Sequence, residues 1–199
     1  QQAARDAGRN PEDTLLLAVS KTRSSAQVSL AQASGIRSFG ENYLQEASDK
    51  ISQLSDQKLD WHFIGPLQSN KTRQVAEQFA WVHTVDRLKI AQRLSTQRPA
   101  TMPALNICLQ INIDNEESKS GFSPDQARSM AAIIAQLPNL RLRGLMAIPR
   151  PRATMAEQQQ PFAQLAALQK EINSTLDNCE KLDTLSMGMS ADLEAAIAE

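Results

Sequence analysis

The sequence predicts an α/β fold, specifically a (β/α)8 barrel of the TIM type. Short apolar segments alternate with longer amphipathic segments along the chain, which is typical of parallel strands joined by crossover helices. One apolar segment, Leu105–Ile113, has apolar residues at every second position. A central strand of an open sheet is apolar on both faces, whereas a barrel strand can turn one face to a partly polar interior, so this alternation favours a barrel. An edge strand of an open sheet would show the same alternation.

Seven strands are predicted, each bounded by polar residues or by residues that interrupt regular structure. They are Leu15–Ser20, Arg37–Gly40, Trp61–Gly65, Trp81–Val85, Leu105–Ile113, Leu140–Ile148 and Thr184–Met187. Between them, apolar residues recur at spacings of three or four, which places them on one face of a helix. Three such faces are Leu44, Ala47, Ile51 and Leu54; Ala127, Met130, Ala131 and Ile134; and Leu165, Leu168, Ile172 and Leu176.

Helix boundaries and loops are also marked in the sequence. Ser24 and Ser123 each precede a glutamine by three residues, which is the pattern of a capping box at a helix start. Gly35 is positioned to end the helix that Ser24 begins. We expect loops at Arg98–Pro103 and at Pro149–Pro161, and the second would hang over the mouth of a barrel, where ligands bind.

Composition limits the classes of function. The chain has 199 residues, enough to bury a full core, and we interpret residues 1–199 as a single domain. Lysine and arginine total 21 against 22 aspartate and glutamate residues, so the net charge of −1 argues against nucleic-acid binding. No apolar stretch approaches the roughly 20 residues that a membrane span needs. Two cysteines do not make a disulfide framework, which fits the reducing cytoplasm.

Lys21 directly follows the first predicted strand and so lies at its carboxyl end. Barrel enzymes carry their functional groups at this end of the strands. Lowered dielectric at a barrel mouth favours the neutral amine, which is nucleophilic and can form a Schiff base with an aldehyde. A solvated loop lysine would occupy the same position in the sequence.

The segment Ser186–Ser190 joins the seventh strand to the last visible helix. Gly188 allows the backbone to turn and approach a ligand closely, and Ser190 can cap the helix that follows. Exposed amide groups and a helix dipole favour anions, and barrel enzymes often bind phosphate after strands seven and eight. A plain helix cap is the alternative interpretation.

Other polar residues fall at predicted strand ends, inside strands or in loops. Asn42 follows the second strand and could bind a ligand or simply open a helix. His62 is interpreted as a core histidine or an interior polar group, and its spacing from His83 does not match a zinc site. Lys119 could bind an anion or be solvated, and Cys108 is interpreted as an inert filler inside a strand.

Six blocks of sequence lie in order along nearly the whole chain. They are Ala18–Thr22, Phe39–Tyr43, Trp61–Lys71, Ser118–Gly121, Arg143–Met146 and Ser186–Ser190. Taken together, these blocks resemble the YggS-type pyridoxal phosphate homeostasis proteins. Six ordered blocks make the resemblance far more specific than any single motif.

The resemblance implies a barrel of the alanine racemase N-terminal type that holds pyridoxal 5′-phosphate (PLP) as a Schiff base. By position, Lys21 matches the family's cofactor lysine and Asn42 matches a residue near the ring. The segment Ser186–Ser190 matches part of the phosphate site, and the resemblance places Met146, in the sixth strand, beside the ring. The implied cofactor-binding residues are therefore Lys21, Asn42, Met146, Ser186, Met187 and Ser190.

The resemblance also implies a role in intracellular PLP and vitamin B6 homeostasis, in which PLP is held or delivered without strong catalysis. PLP-dependent apoenzymes are candidate recipients, and we expect a cytoplasmic monomer with no catalytic residues and no metal. A racemase-like PLP enzyme is the alternative, but it would need a second acid/base group on the other face of the ring. A barrel enzyme that acts on a phosphorylated metabolite without PLP is the third hypothesis.

The end of the sequence departs from the family pattern. Family members continue into an eighth strand with an arginine for the pyridine nitrogen and a Gly-Thr pair for the phosphate, whereas this sequence ends within a predicted helix. An eight-unit barrel also typically runs to about 250 residues. We therefore expect a (β/α)8 barrel from which the eighth strand is missing.

Overall fold

A computed structural model describes all 199 residues, which form seven strands and eight α-helices. The strands are β1 (Ala18–Val19), β2 (Ser38–Glu41), β3 (Asp60–Phe63), β4 (Trp81–Val85), β5 (Leu105–Gln110), β6 (Leu140–Met146) and β7 (Thr184–Ser186). The helices are α1 (Gln2–Asp6), α2 (Ser25–Ala33), α3 (Leu44–Gln53), α4 (Thr72–Gln78), α5 (Leu88–Gln97), α6 (Pro124–Ala135), α7 (Met155–Asn173) and α8 (Leu193–Ala198). Two 3-10 turns lie at Pro11–Asp13 and Asn178–Glu180. None of the helices has both the length and the apolar character to cross a membrane.

The strands are hydrogen-bonded in chain order, from β1 to β7. The pairing is parallel, with Ala18 opposite Phe39 where β1 meets β2, and Met146 opposite Ser186 where β6 meets β7. An open doubly wound sheet reverses its strand order at a switch point, whereas a βα barrel adds each strand beside the previous one. The observed order therefore confirms the α/β barrel class, with seven strands in residues 1–199.

The chain divides into two compact units, and β5 and β6 run through both. The first unit comprises residues 16–107 and 136–141 and contains β1 to β4 with α2 to α5. Its core is aromatic where β2, β3 and α4 meet, because Phe39 contacts Trp61 and Phe63 meets Phe79 edge-on, with ring centroids 5.4 Å apart in the second pair.

The second unit comprises residues 1–15, 108–135 and 142–199. Its hydrophobic cluster joins Phe162 of α7 to Ala195 and Ala196 of α8, and the half-buried Met187 packs against them. Gly144 allows β6 to lie against β7, because a Cβ atom at this position would collide with the backbone of Thr184. Both contacts fix the loop that follows β7.

Most element types agree with the sequence-based predictions. In β5, Leu105, Ile107 and Leu109 are fully buried whereas Asn106 and Gln110 are half-buried, as the alternation predicts, but Cys108 on the same face as Asn106 is also fully buried. Ser24 and Gln27 form the predicted capping box, and Ser123 likewise accepts a hydrogen bond from the backbone N–H of Gln126.

Several predicted boundaries are wrong, since β5 ends at Gln110 rather than Ile113 and β6 ends at Met146 rather than Ile148. The predicted strand Leu15–Ser20 is a strand only at Ala18–Val19, because the apolar residues before it are exposed, Leu15 at 68% and Leu16 at 64%. The predicted loop Pro149–Pro161 ends at Thr154, which caps α7 through a capping box with Glu157. Pro161 therefore lies inside α7, where its ring is buried and where the helix lacks one backbone donor.

Candidate functional site

Lys21 lies at the carboxyl end of the short β1 strand, as the sequence predicts, with Ser20 between it and the last strand residue, Val19. Ser20 before it is buried, whereas Lys21 is exposed. Thr22 after it adopts a φ of 63°, in the left-handed region, and the backbone N–H of Arg23 donates to the carbonyl oxygen of Ser20 at 3.0 Å. The chain thus turns tightly around Lys21 and presents its amine to solvent.

A group of buried charges lies beside this turn, and we call it the Lys50 cluster (Ser20, Glu41, Glu46 and Lys50). The Lys50 side chain is 5% exposed and that of Glu41 is fully buried. Lys50 Nζ donates to the carbonyl oxygen of Ser20 at 2.6 Å, to Glu41 Oε1 at 2.7 Å and to Glu46 Oε1 at 2.6 Å. The Ser20 hydroxyl donates to Glu41 Oε1 at 2.6 Å. The cluster thus ties together β1, β2 and α3.

The Lys50 cluster was not predicted from the sequence. In the sequence, the only indication of the cluster is that Glu46 and Lys50 are four residues apart. This spacing usually indicates an ion pair on an exposed helix face. Here Lys50 is on the buried face of α3, beside the buried Ala47. A lysine is rarely buried unless it is paired, and two carboxylates supply the pairing.

Asn42 follows β2, as predicted, and its side chain has an unmet hydrogen-bonding requirement. Its Oδ1 atom is buried and accepts no hydrogen bond, and the same holds for Oε2 of the neighbouring Glu41. Gly65, which follows β3, allows this arrangement, because a Cβ atom there would collide with the Asn42 backbone. A buried acceptor without a donor is costly, so Asn42 is suited to a ligand that donates a hydrogen bond.

His62 and His83 form a histidine pair inside the first unit, on β3 and β4. Nδ1 of His62 lies 2.9 Å from Nε2 of His83, and His62 stacks on Trp81 with the ring planes 8° apart. Burial, together with the neighbouring His83, lowers the pKa of His62 to about 3, and burial lowers the pKa of His83 to about 4. Both rings are therefore neutral near pH 7, and His62 is a hydrogen-bonded core histidine.

The second unit contains the remaining predicted residues. Met146 at the end of β6 is buried, and Ser186, which ends β7, pairs with it in register. Met187 and Gly188 follow half-buried, Ser190 is exposed, and Gly188 has a φ of 86°. The turn predicted from the glycine is present.

The prediction that Ser190 caps the last helix is wrong. The residue before α8 is Asp192, and its Oδ1 accepts a hydrogen bond of 2.6 Å from the backbone N–H of Met189. The chain needs two further residues after Ser190 to complete its turn before α8 can begin. With only six residues, α8 is too short for its dipole to be a strong anion site.

Lys119 and the loop after β6 are tied into the second unit. Lys119 forms an ion pair with Glu116 at 2.8 Å and donates to the carbonyl oxygen of Ile148. Asp114 accepts a hydrogen bond from the backbone N–H of Arg150 and another from the side chain of Arg152. The charge of Lys119 is therefore partly compensated by Glu116, so Lys119 is not an unpaired cation.

A cavity of about 240 Å³ in the first unit lies at the opposite end of the strands from Lys21. Its lining includes Trp61 at the start of β3, Ala80 just before β4 and Asn106 near the start of β5. The buried Arg98 also lines it and donates to the carbonyl oxygens of Ala76 and Phe79. This arginine closes the end of α4.

Comparison with known proteins identifies the family. The family model described as "Alanine racemase, N-terminal domain" matches residues 2–199. The "Pyridoxal phosphate homeostasis protein" of Pseudomonas aeruginosa is 59% identical over 199 residues, which cover all of this chain and 84% of that protein. The chain belongs to the pyridoxal phosphate homeostasis family. The family member of the same name from Escherichia coli is 51% identical over 98% of this chain and 84% of its own length.

Solved structures agree with this family and fold. PipY of Synechococcus elongatus, determined with PLP bound, superimposes with a TM-score of 0.86 at 37% identity, over all of this chain and 93% of that chain. An alanine racemase of Clostridium difficile superimposes with a TM-score of 0.69 at 15% identity, over 98% of this chain and 50% of that one. The second likeness establishes the barrel fold alone.

Proposed function

We propose that this chain binds PLP and serves in intracellular PLP homeostasis, holding the cofactor as a reversible Schiff base on Lys21. The observation that carries the proposal is the exposed Lys21 amine at the carboxyl end of β1, in a chain 59% identical to a pyridoxal phosphate homeostasis protein. The residues present fit the group, because Asn42 offers a buried acceptor without a partner next to the end of β2.

The chemistry required of Lys21 is simple and reversible. The Lys21 amine would condense with the PLP aldehyde, its two hydrogens leaving with the carbonyl oxygen as water while a C=N bond joins the lysine to the cofactor. A second amine that adds to the same carbon would break the bond to Lys21, free its amine and carry the cofactor away. Reversibility suits a protein that buffers or delivers PLP, and PLP-dependent apoenzymes are the recipients we propose.

The other residues of the proposed site bind and orient the cofactor. We assign Asn42 and Met146 to the neighbourhood of the ring and Ser186, Met187 and Ser190 to the phosphate. Gly188 supports the phosphate assignment, since its positive φ turns the backbone after β7. Asp192 already holds the Met189 amide, so this amide is the least available phosphate donor of the turn.

We propose that the protein has no strong catalytic activity. A racemase-like reaction needs a second acid/base group that can exchange protons at the substrate. The only two histidines of the chain are buried and bonded to each other, and both have depressed pKa values. We further propose a cytoplasmic monomer that folds as one domain over residues 1–199, and both of its cysteines are free thiols.

The decisive experiment is titration of the purified protein with PLP, followed by borohydride reduction and peptide mass mapping. The imine absorbance should appear, and the reduced adduct should map to Lys21. Lys21→Ala should abolish both signals, whereas Lys89→Ala, which removes another exposed lysine on α5, should leave them unchanged. Persistence of the absorbance in Lys21→Ala would overturn the proposal, and α-proton exchange of amino acids at enzymatic rates would favour the racemase-like alternative.

A further inference from the structure

We propose that Glu46 and Lys50 are positioning residues that fix the backbone on both sides of Lys21 for reaction with the PLP aldehyde. The inference rests on the proposed function, since it concerns the same lysine. Neither residue is required to touch the cofactor. Each acts through Ser20 or Thr22, the two residues that flank Lys21.

The residue before Lys21 is held by the Lys50 cluster through two atoms. The carbonyl oxygen of Ser20 accepts from Lys50 Nζ at 2.6 Å, and its hydroxyl donates to Glu41 Oε1 at 2.6 Å. Hydrogen bonds to ionised groups are stronger than those between neutral groups. Ser20 is therefore fixed in both its main chain and its side chain.

The residue after Lys21 is held by the same cluster through Glu46. The backbone N–H of Thr22 donates to Glu46 Oε1 at 2.6 Å. Thr22 is β-branched and has a φ of 63°, a conformation that such residues adopt only when the surrounding structure enforces it. The hydrogen bond to Glu46 is a direct enforcing contact.

The two contacts are parts of one unit because Lys50 joins them. A lysine ammonium has three N–H donors, and Lys50 gives them to Ser20, Glu41 and Glu46. The hydrogen bond from Lys50 lowers the pKa of Glu46, which keeps this carboxylate ionised and able to accept from Thr22. Displacing any member loosens the turn on both sides of Lys21.

The three hydrogen bonds of Lys50 also give it a different reactivity from that of Lys21. Lys50 is buried and its Nζ is enclosed by three hydrogen-bond acceptors, so it is not available to attack an aldehyde. Lys21 is exposed and is flanked by fixed backbone. The Lys50 cluster thus directs the cofactor to one amine and removes the other from competition.

The test compares Glu46→Ala, Glu46→Gln and the control Asp49→Ala, which removes an exposed carboxylate from the same helix. Each protein is mixed rapidly with PLP, and the rate constant of imine formation is measured from its absorbance. We expect Glu46→Ala to slow imine formation at Lys21 by about tenfold, because small displacements of reacting groups cost large factors in rate. Glu46→Gln should return to within about threefold, since an amide oxygen can still accept from Thr22.

Amide hydrogen exchange of the PLP-free proteins supplies an independent readout. The Thr22 amide should lose protection in Glu46→Ala and keep it in Glu46→Gln and Asp49→Ala. A normal rate of imine formation in a folded Glu46→Ala protein would overturn the inference, as would equal slowing in Glu46→Ala and Glu46→Gln. If Glu46→Ala fails to fold, slow imine formation and lost Thr22 protection in Glu46→Gln would contradict it instead. Failure of the proposed function is a different result, namely wild-type protein with no adduct at Lys21.

Discussion

The Lys50 cluster, on β1, β2 and α3, and the histidine pair, on β3 and β4, lie in the same compact unit, and they compensate the cost of burying polar groups in opposite ways. Lys50 and Glu41 form an ion pair, with Nζ 2.7 Å from Oε1. His62 and His83 give up their charge and share one hydrogen bond of 2.9 Å. A buried ion pair is often no more stabilising than apolar residues of the same volume. The role that we propose for this pair is to hold the turn that carries Lys21.

The largest effect should follow from breaking the ion pair between Lys50 and Glu41. Lys50→Met leaves Glu41 buried without a cation, and such a loss costs about 3–5 kcal/mol of the free energy of unfolding. Urea unfolding monitored by circular dichroism measures it. Lys50→Met combined with Glu41→Gln should recover a substantial part of the loss, because the uncompensated charge is then removed. A double variant no more stable than Lys50→Met would contradict this account.

The second-largest effect should come from acid, which destabilises the uncharged histidine pair. In the unfolded chain both histidines have the ordinary pKa near 6.5, whereas the folded values are about 3 and about 4. The unfolded state therefore binds more protons below pH 6.5, and folding free energy is lost as the pH falls towards 4. We expect a loss of about 2 kcal/mol for each ring between pH 7 and pH 5.

Unfolding curves across this pH range measure the loss. The chain contains only these two histidines, so His83→Phe should roughly halve the pH dependence if it folds. Nuclear magnetic resonance titration of the wild-type rings gives a direct check. A histidine that titrates near pH 6.5 in the folded protein would show that the pair is not held neutral.

The smallest effect should come from removing one hydrogen bond of the Lys50 cluster while its ion pair stays in place. Ser20→Ala removes one hydrogen bond to Glu41 Oε1 and leaves the bond from Lys50 in place. We expect a loss of about 1.5 kcal/mol, the ordinary value for a hydrogen bond to a charged group. Thermal unfolding measures this loss, and Ser25→Ala, which removes a hydroxyl whose exposed hydrogen bond goes to Gln53 Oε1, should change stability by less than about 0.5 kcal/mol in the same experiment.

The order of strands and helices could be predicted from the sequence because each is a local pattern. The alternation in β5 and the capping box at Ser24 involve residues within a few positions of one another. The limits of β1 could not be predicted, because a leucine-rich segment becomes a strand only where a neighbouring strand pairs with it. The capping box at Thr154 is a local pattern too, but the three prolines between residues 149 and 161 favoured the prediction of a loop over this segment.

The positions of Lys21 and Asn42 after β1 and β2 could be predicted, because the order of residues along a strand decides them. The Lys50 cluster could not be predicted, because Ser20 and Lys50 are 30 residues apart and meet only through tertiary packing. The helix cap at Ser190 was misassigned for a related reason. Nothing in the local sequence shows that Asp192 would bind the Met189 amide and delay the start of α8.

The two cysteines provide a practical consequence for labelling. Cys108 is fully buried in β5, and burial raises the pKa of its thiol to about 12, so it has almost no reactive thiolate at neutral pH. Cys179 is exposed in the 3-10 turn before β7. A maleimide dye should therefore attach at a single native position. The wild-type chain can carry one fluorescent reporter, and cofactor release could be followed by energy transfer without an engineered thiol.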